Sequence, residues 1–246
     1  MAYLLCVGTP TYSPPLQYAV GVISPMVRRN MKYTHCIWDF NGTIFDDVAA
    51  GIDAVNTLLR ERGIATLDSK EQYQEVFDFP IIDYYRRIGF DFEKEPYEIV
   101  APLWVELYLE NSKQAKLFED VIPTLDFFDE QGIKQSVLSA SELNMLSRQL
   151  RELGIYGRFE EIMGIDNIYA ESKLALAKRW REGHTQAKVM FIGDTTHDYE
   201  TARVLGADCY LISAGHHPEY KLRALGNGVK IFPSLRAMVE YLKNET

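Results

Sequence analysis

The segment HCIWDFNGT at residues 35–43 decides how this chain of 246 residues folds. Its first four residues are predicted to form a short buried strand, which ends at Asp39, where a turn containing Gly42 begins. In open α/β sheets, ligands bind in the crevice beyond the carboxyl ends of the strands, so the Asp39 carboxylate is expected to face that crevice. Taken alone, the segment fits an acidic residue that starts a turn equally well.

Apolar runs of strand length recur along the chain and alternate with segments of helical period. They lie at residues 136–138, 189–192, 209–212 and, more weakly, 229–232. This alternation is typical of a parallel sheet with helices on both faces. The sequence therefore predicts an α/β fold with a doubly wound, Rossmann-like core.

Apolar residues at three- and four-residue spacings predict the helices between these strands. One helix is expected to start soon after Asp46 and to end near Gly63. Another is expected at residues 143–153, with Ser141 capping its start, and a last one at residues 234–242. Each of these helices follows an expected strand, as a doubly wound sheet requires.

The stretch from about residue 64 to residue 115 contains aromatic-rich helical pieces and no convincing strand. Because it lies between the first helix and the second strand, both of its ends must return to the sheet, and it is expected to cover the carboxyl edge. We therefore predict an extension with little packed structure at residues 1–30, a core of residues 31–48 and 116–246, and a small helical cap domain of residues 49–115. Its candidate substrate contacts are Tyr84, Tyr85, Arg86 and Arg87.

Composition excludes several classes of function. A formal net charge of −9 and a pI near 5.1 leave no broad positive surface for a nucleic acid. Cys6, Cys36 and Cys209 lack the spacing of a disulfide framework or a zinc cluster, and no run of about 18 apolar residues predicts a membrane span. We expect a cytoplasmic monomer or homodimer that binds a small molecule.

Further polar residues follow other predicted strands. Asp194 comes directly after the run at 189–193, and Asp198 follows it by four residues. Two strands that deliver acids to one edge of a sheet can hold Mg²⁺, which prefers one or two carboxylates together with phosphate oxygens. Ser139 ends another strand, and Lys173 begins a helical run after a loop; each alone is more often a turn serine or a solvated lysine. Together they favour phosphoryl transfer, which depends on positioning and on charge neutralisation.

In this order, the residues resemble the four motifs of the haloacid dehalogenase superfamily, in its phosphoglycolate phosphatase-like branch with a helical cap. The resemblance spans residues 33–244. The motifs correspond to residues 39–43, Ser139, Lys173 and residues 193–198. Each motif is weak alone, and the set is specific.

The resemblance implies a role for each matching residue in a magnesium-dependent phosphatase. Asp39 would be the nucleophile that forms an aspartyl-phosphate, and Asp194 would bind Mg²⁺ with it. Asp198 would either reach the metal through water or orient Lys173. The remaining implied roles are phosphate binding by Ser139 and Lys173, substrate contact by Thr43 and Ala140, and metal binding by the backbone carbonyl of Asn41.

Asn41 departs from the pattern of this resemblance, because phosphatases of the superfamily have aspartate there as the general acid. An amide cannot deliver the proton, and positioned proton transfer typically contributes about 10² to 10⁴ in rate. One interpretation is a slow phosphatase whose substrates, such as acyl or aryl phosphates, have leaving groups that need no proton. The alternatives are a phosphate-ester binding or regulatory protein, and a phosphonate or other C–X hydrolase. A phosphonate hydrolase would need a cap lysine, for which Lys70 is a loose candidate.

Other polar residues near these motifs have more ordinary explanations. Asp46 and Asp47 are interpreted as acids that favour a helix start through its dipole, rather than as replacements for the missing acid. His197 is interpreted as a cap or packing residue. The pair at residues 216–217 lies in the loop after the fourth expected strand, where it could contact substrate, and it is a poor metal ligand set.

Overall fold

The fold is built on a six-stranded parallel sheet. The computed structural model describes residues 31–166 and 172–245, so the prediction for residues 1–30 lies outside the described residues. The strand order is β5-β4-β1-β6-β7-β8, and every neighbouring pair is parallel. The bounds are β1 (His35–Trp38), β4 (Lys134–Glu142), β5 (Glu161–Ile165), β6 (Val189–Gly193), β7 (Asp208–Ile212) and β8 (Lys230–Phe232). The predicted doubly wound α/β core is confirmed.

The chain reverses its direction of travel across the sheet at β1, which lies between β4 and β6. A crevice opens at such a switch point, beyond the carboxyl ends of the strands. Asp39 follows β1 directly, so the segment at residues 35–43 supplies both the central strand and the first side chain of that crevice. A separate antiparallel pair, β2 (Phe45–Asp46) and β3 (Lys116–Leu117), lies where the helical segment leaves and rejoins the core.

The predicted helices are present, and others join them. Their bounds are α1 (Val48–Glu61), α2 (Lys70–Val76), α3 (Ile81–Arg87), α4 (Tyr97–Asn111), α5 (Val121–Gln131), α6 (Leu143–Glu152), α7 (Lys173–Gly183), α8 (Thr196–Leu205), α9 (Glu219–Arg223) and α10 (Leu235–Asn244). The expected cap of α6 was wrong: the Glu142 carboxylate accepts hydrogen bonds from the backbone N–H groups of Asn144 and Met145. The Ser141 hydroxyl is turned toward Asn41 instead.

Strand β5 was not predicted from the sequence. The first three of its five residues are partly exposed, and Gly164 interrupts its apolar run. It lies at the edge of the sheet, where only one side of the strand has a partner. An edge strand of this kind has neither a continuous apolar run nor a clear alternation, and these are the two signals that reveal strands in a sequence.

The two faces of the sheet pack in separate apolar clusters. Side chains alternate between the faces of a strand, so Cys36 and Trp38 join the cluster formed with α5, α6 and α10, whereas Ile37 packs with α7 and α8. All three side chains are fully buried. The central strand is thus held rigidly from both sides, which positions the residue that follows it.

The segment between α1 and the small antiparallel pair is helical, as predicted. Residues 64–115 form α2, α3 and α4, with a short 3₁₀ turn at Ser112–Gln114. Helices α1–α4 share a third apolar cluster, which contains Leu58, Tyr73, Tyr85 and Val100. The boundaries that we predict for a cap domain, residues 49–115, stay a prediction.

Helix α5 allows a matched test of core packing. Leu125 is fully buried and Ile122, on the same helix, is 39% exposed. We expect Leu125→Ala to lower the free energy of unfolding by about 2–5 kcal/mol, because it removes buried methyl groups and leaves a cavity. Ile122→Ala should change it by less than about 1 kcal/mol. Urea unfolding of the two variants measures this, and equal losses would contradict the packing described here.

Candidate active site

A cavity of ≈ 220 Å³ lies between the carboxyl edge of the sheet and the helical segment. Its floor contains five of the residues singled out in the sequence: Asp39, Ser139, Lys173, Asp194 and Asp198. They come from the end of β1, from β4, from the first residue of α7, from the end of β6 and from the first turn of α8. The four motifs therefore meet at one point.

Lys173 is the charge around which the floor of the cavity is arranged. Its ammonium group hydrogen bonds to Asp39 Oδ1, and to Asp198 Oδ1 at 2.5 Å. The side chain is 4% exposed, and the two acids are 6% and 1% exposed. A buried ion pair has to repay a large desolvation cost, so the lysine is held here by two carboxylates and not by one.

Asp198 has its oxygens fully occupied by the protein. Its Oδ2 accepts hydrogen bonds from the backbone N–H groups of Asp194 and Thr195 and from the Thr195 hydroxyl, in a capping box at the start of α8. A Cβ atom at Gly193 would lie 2.4 Å from the Asp198 side chain, so only glycine allows this approach. Asp198 is therefore built to fix the position of Lys173.

The floor of the cavity contains more buried carboxylates than the single ammonium group of Lys173 can neutralise. Oxygen atoms of Asp39, Asp194 and Asp198 all lie within 4.8 Å of one another, and Lys173 contacts Asp39 and Asp198. Burial, together with repulsion by Asp198, raises the pKa of Asp39 well above its usual range, although Lys173 opposes this. Burial raises the pKa of Asp194 to about 7, against the attraction of His216. Buried carboxylates that repel each other in this way favour a bound cation.

The pair formed by Lys173 and Asp198 is charged. Burial lowers the pKa of Lys173, but the charges of Asp198 and Asp39 outweigh it and raise the pKa above the usual value. Burial likewise raises the pKa of Asp198, and the Lys173 charge outweighs it, so that this pKa is below its usual range. Lys173 is therefore available as a fixed positive charge.

These residues fit a divalent metal ion. Asp39 and Asp194 follow adjacent strands and are both buried, and Asp194 Oδ1 accepts only a long hydrogen bond, 3.3 Å from the Thr43 hydroxyl, among the described residues. The donor set consists of oxygen atoms alone, which suits Mg²⁺ better than a softer metal. The surplus of buried carboxylates is the observation that favours a bound cation.

The remaining predicted residues lie at different positions around this floor. Ser139 is buried beside the cavity, and its Oγ accepts a hydrogen bond from the Ser141 N–H at 3.0 Å, which leaves its own proton free to donate. Ala140 lines the cavity. Thr43 is buried behind Asp194 and is not among the residues that line it.

The Asn41 side chain has a partner for each of its hydrogen-bonding atoms. Its Nδ2 donates to Asp47 Oδ2 and to the Tyr108 hydroxyl, each at 2.7 Å. Its Oδ1 accepts a hydrogen bond from the Ser141 hydroxyl at 2.7 Å. The amide is therefore held in one orientation with no free N–H to offer a ligand.

Asp47 is the residue of this site that the sequence interpretation missed. It does stand at the start of α1, as predicted, but its side chain makes no cap hydrogen bond and is turned toward the cavity instead. It is 2% exposed and accepts hydrogen bonds from Asn41, from the backbone N–H of Gly42 and from the Tyr108 hydroxyl. Asp46, by contrast, is exposed. Two successive acids before a helix gave no sign of which one turns inward.

His216 is the cation beside Asp47. Its Nε2 lies 3.6 Å from Asp47 Oδ1, its Nδ1 is 2.7 Å from the Tyr73 hydroxyl, and its backbone N–H donates to Asp194 Oδ2 at 2.6 Å. Burial lowers the pKa of His216, but Asp47 and Asp194 outweigh it and raise the pKa to about 9. Burial raises the pKa of Asp47, but the nearby His216 and the hydrogen bond from Asn41 outweigh it and bring the pKa below its usual range. The two residues form an ion pair.

The loop that carries His216 needs a glycine to approach the floor. A Cβ atom at Gly215 would lie 2.1 Å from Asp194 Oδ2 and 2.5 Å from the Gly42 carbonyl oxygen. His197 also lines the cavity, with its ring stacked on Phe79. Lys70 does not line it, and its ammonium group donates to the Ala214 carbonyl oxygen at 2.6 Å.

Comparisons with known proteins agree with this geometry. A family model described as haloacid dehalogenase-like hydrolase matches residues 36–212. A phosphoglycolate phosphatase from Synechococcus elongatus is 24% identical over 198 residues, which cover 76% of this chain and 87% of that protein.

Solved structures share the fold. A haloacid dehalogenase-like family hydrolase from Streptococcus pneumoniae superposes with a TM-score of 0.72 at 17% identity, over 85% of this chain and 98% of that one. A putative phosphoglycolate phosphatase from Lactobacillus delbrueckii gives a TM-score of 0.70 at 18% identity, over 86% and 99%.

The contacts of Asn41 predict how the site responds to an added charge. In Asn41→Asp, a second carboxylate would lie against Asp47, and one of the two donors to Asp47 Oδ2 would be lost. We expect the free energy of unfolding to fall by at least about 1–3 kcal/mol. The double variant Asn41→Asp with Asp47→Asn restores one amide and one carboxylate, and we expect it to recover most of this loss.

Urea unfolding of the wild type, both single variants and the double variant completes this cycle and gives the coupling energy of the two positions. If the double variant is no more stable than the less stable single variant, the two side chains are not coupled as described.

Proposed function

Because this chain belongs to the haloacid dehalogenase-like hydrolases, we propose that it is a magnesium-dependent phosphatase that transfers the phosphoryl group of a small phosphate ester to Asp39. The observation that carries the proposal is the buried convergence of Asp39, Lys173 and Asp194 at the floor of one cavity. The similarity to a phosphoglycolate phosphatase supports phosphate esters as the substrate class.

Charge is the obstacle that the site must overcome. A carboxylate that attacks a phosphate dianion is repelled, and two like unit charges 4 Å apart cost about 4 kcal/mol at an effective dielectric constant of 20. Lys173 contacts Asp39 and is fixed in place by Asp198, so its charge is preorganised beside the reacting atoms. Asp39, Asp194 and the Asn41 carbonyl would hold Mg²⁺, with Asp198 as a further candidate, and the bound ion would neutralise the phosphate.

The other floor residues would bind and orient the phosphoryl group. The Ser139 hydroxyl has its proton free and lies beside the cavity, so it would donate to a phosphate oxygen. Ala140 would contact the substrate at the same edge of β4. Thr43 would act through Asp194, whose carboxylate its hydroxyl contacts. Covalent capture on Asp39 then divides hydrolysis into two smaller barriers.

Asn41 would limit both steps of this reaction, because each of them includes a proton transfer. Water that attacks the phosphorylated Asp39 has to lose a proton, and the leaving group of the first step has to gain one. The Asn41 amide can do neither, and its N–H groups are already bonded to Asp47 and Tyr108. We therefore propose a slow phosphatase that favours leaving groups stable without a proton.

Two alternatives remain distinct from this proposal. A phosphate-ester binding or regulatory protein would keep the same floor without turnover, and the locked Asn41 side chain favours it as the second candidate. A phosphonate hydrolase would need a cap lysine to form an imine, and within residues 31–166 and 172–245 Lys173 is the lysine that lines the cavity.

The location and the assembly of the protein stay predictions. Within the part of the chain that the structure describes, none of the helices has the length and apolar character to span a membrane. We propose a cytoplasmic protein, either a monomer or a homodimer, on the basis of composition alone.

Removal of the nucleophile tests the proposal directly. We expect the wild type to hydrolyse p-nitrophenyl phosphate with Mg²⁺, to lose activity with EDTA and to regain it when Mg²⁺ is added back. Asp39→Asn should lower kcat by at least about 10³-fold, as expected when a covalent nucleophile is removed. Asp46→Asn, which changes an exposed acid close by, should retain activity. A wild type no faster than Asp39→Asn would eliminate the enzyme and favour the binding protein.

A second test asks whether the lack of a proton-transferring side chain at position 41 limits turnover. The double variant Asn41→Asp with Asp47→Asn places a carboxyl group at position 41 without adding charge to the pocket. We expect its kcat on alkyl phosphates to exceed that of the wild type by about 10²–10⁴-fold, the usual contribution of a positioned acid or base. Steady-state kinetics with an alkyl phosphate and an aryl phosphate measure this, and the gain should be smaller for the aryl ester. An unchanged alkyl rate would show that position 41 does not limit turnover.

A further inference from the structure

The part of the cavity above Asp39 differs in character from its floor. The residues that the helical segment contributes to the lining are aromatic or aliphatic, and among the described residues none of them is charged. They are Tyr73, Phe77, Phe79, Ile81, Tyr84, Tyr85, Trp104, Val105 and Tyr108. The charged groups that line the cavity come from the core and from Asp47 at the start of α1. A substrate would thus place its phosphate among charges and its body among rings.

The arginines of α3 do not change this. Arg86 donates to Asp83 at 2.7 Å and Arg87 donates to the Val76 carbonyl oxygen at 2.5 Å, and both side chains are exposed. Neither lines the cavity, although the sequence made both candidate substrate contacts. A second anionic group on the substrate would therefore find no cation from the helical segment.

The basic side chains that line the cavity already have partners. Lys173 is shared by Asp39 and Asp198, His216 faces Asp47, and His197 lies 3.2 Å from Glu200. A carboxylate on the substrate body would lose its water in this cavity without gaining a partner among the residues that the structure describes, which is strongly unfavourable. The lining therefore selects against esters such as phosphoglycolate, whose body is itself a carboxylate.

One polar atom of the lining has no partner. The Tyr84 hydroxyl is buried and makes no hydrogen bond to any described residue, and Tyr84 lines the cavity. A buried hydroxyl without a partner is rare in folded proteins. An uncharged hydrogen-bonding group on the substrate body would satisfy it.

The leaving group is constrained by Asn41. Its two N–H groups are bonded to Asp47 and Tyr108, so it offers no proton to the departing oxygen. Phenols, such as the tyrosine side chain, have a pKa of about 10, well below that of alkyl alcohols, and they leave more readily as anions. The cavity of ≈ 220 Å³ is also large enough for a ring, since a cavity of about 150 Å³ holds benzene.

We propose that the substrate is an aryl phosphate monoester with an uncharged body, whose ring lies among the aromatic residues of the helical segment. This inference rests on the proposed phosphatase function. A carboxylate oxygen of Asp39 bonds to phosphorus while the bond between phosphorus and the aryl oxygen breaks, and the electron pair leaves with that oxygen as a phenolate. The phenolate takes its proton from water, and a second water hydrolyses the phosphorylated Asp39 to release inorganic phosphate.

The test compares two esters that differ in charge. 4-(2-Methoxy-2-oxoethyl)phenyl phosphate and 4-(carboxymethyl)phenyl phosphate have similar leaving groups, because a methylene separates the differing group from the ring, but only the second carries a carboxylate. With the Mg²⁺-loaded wild type we expect kcat/KM to be at least tenfold higher for the methyl ester. Equal values, or a preference for the carboxylate, would overturn the proposal.

Two variants on α4 give a matched control. Val105 lines the cavity, and Leu103 on the same helix is exposed and does not line it. Val105→Arg should remove or reverse the preference for the methyl ester by supplying a cation, and Leu103→Arg should keep it. If a folded Val105→Arg, checked by circular dichroism, keeps the full preference, the ring does not lie in this part of the cavity.

Measurements of ester binding distinguish a failure of the proposed substrate class from a failure of the phosphatase proposal. The dissociation constants of both esters with Mg²⁺-loaded Asp39→Asn, measured by calorimetry, should show the same preference of at least tenfold. If the wild type turns over neither ester but this preference is present, the phosphatase proposal fails and the substrate class stands. If turnover occurs without the preference, the substrate class fails and the phosphatase stands.

Discussion

The interaction on which the rest of the site depends is the contact of one buried ammonium group with two buried carboxylates. Lys173 holds Asp39 and is itself held by Asp198, and Asp194 adds a third carboxylate within the same few ångströms. Desolvation of such charges costs several kcal/mol for each ion, so the arrangement persists only because the surrounding fold over-determines it. The backbone N–H groups at the start of α8, the Thr195 hydroxyl and the close approach at Gly193 are all devoted to fixing Asp198. The remaining imbalance of charge is what a divalent ion and a phosphate would resolve together.

The same electrostatic constraint accounts for the pairing of Asn41 with Asp47. The floor already contains more buried acids than cations, and a further carboxylate at position 41 would lie against Asp47 without a new partner. An amide supplies one of the three hydrogen-bond donors to Asp47, while His216 balances the Asp47 charge. The negative charge next to the nucleophile turn is therefore at position 47 and not at position 41. Chemistry and stability are coupled at position 41. The side-chain group that would have to transfer a proton is the one that donates a hydrogen bond to Asp47.

Much of this could be predicted from the sequence, for identifiable physical reasons. Acids that follow apolar runs in a parallel sheet must meet at one edge, so Asp39 and Asp194 could be placed together without coordinates. The pattern also singled out Ser139, Lys173 and Asp198, and the family resemblance, now confirmed by the match over residues 36–212, implied a role for each of them. The residue type alone was less informative about the side-chain contacts of Ser141 and Asp47, because each residue suits two different roles. Ser141 suits a helix cap as well as it suits a contact with Asn41, and Asp47 suits a helix dipole as well as an inward hydrogen-bond network. Only the packing of Tyr108 and His216 decides between them, and both are distant in the sequence.

The helical segment shows why the floor alone says little about the substrate. The floor is made of residues whose positions follow from strand ends and helix starts, and any phosphate ester would use it in the same way. The body of a substrate would meet side chains from α2, α3 and α4, which have to pack against α1 and also face the cavity. Tyr84 and Tyr85 are held by this packing, whereas Arg86 and Arg87 on the next positions of α3 point to solvent, because a short helix can turn only part of its surface inward. The proposed selection for an uncharged body would thus follow from which face of α3 the apolar cluster buries, and a change of specificity would require a charge introduced into that face.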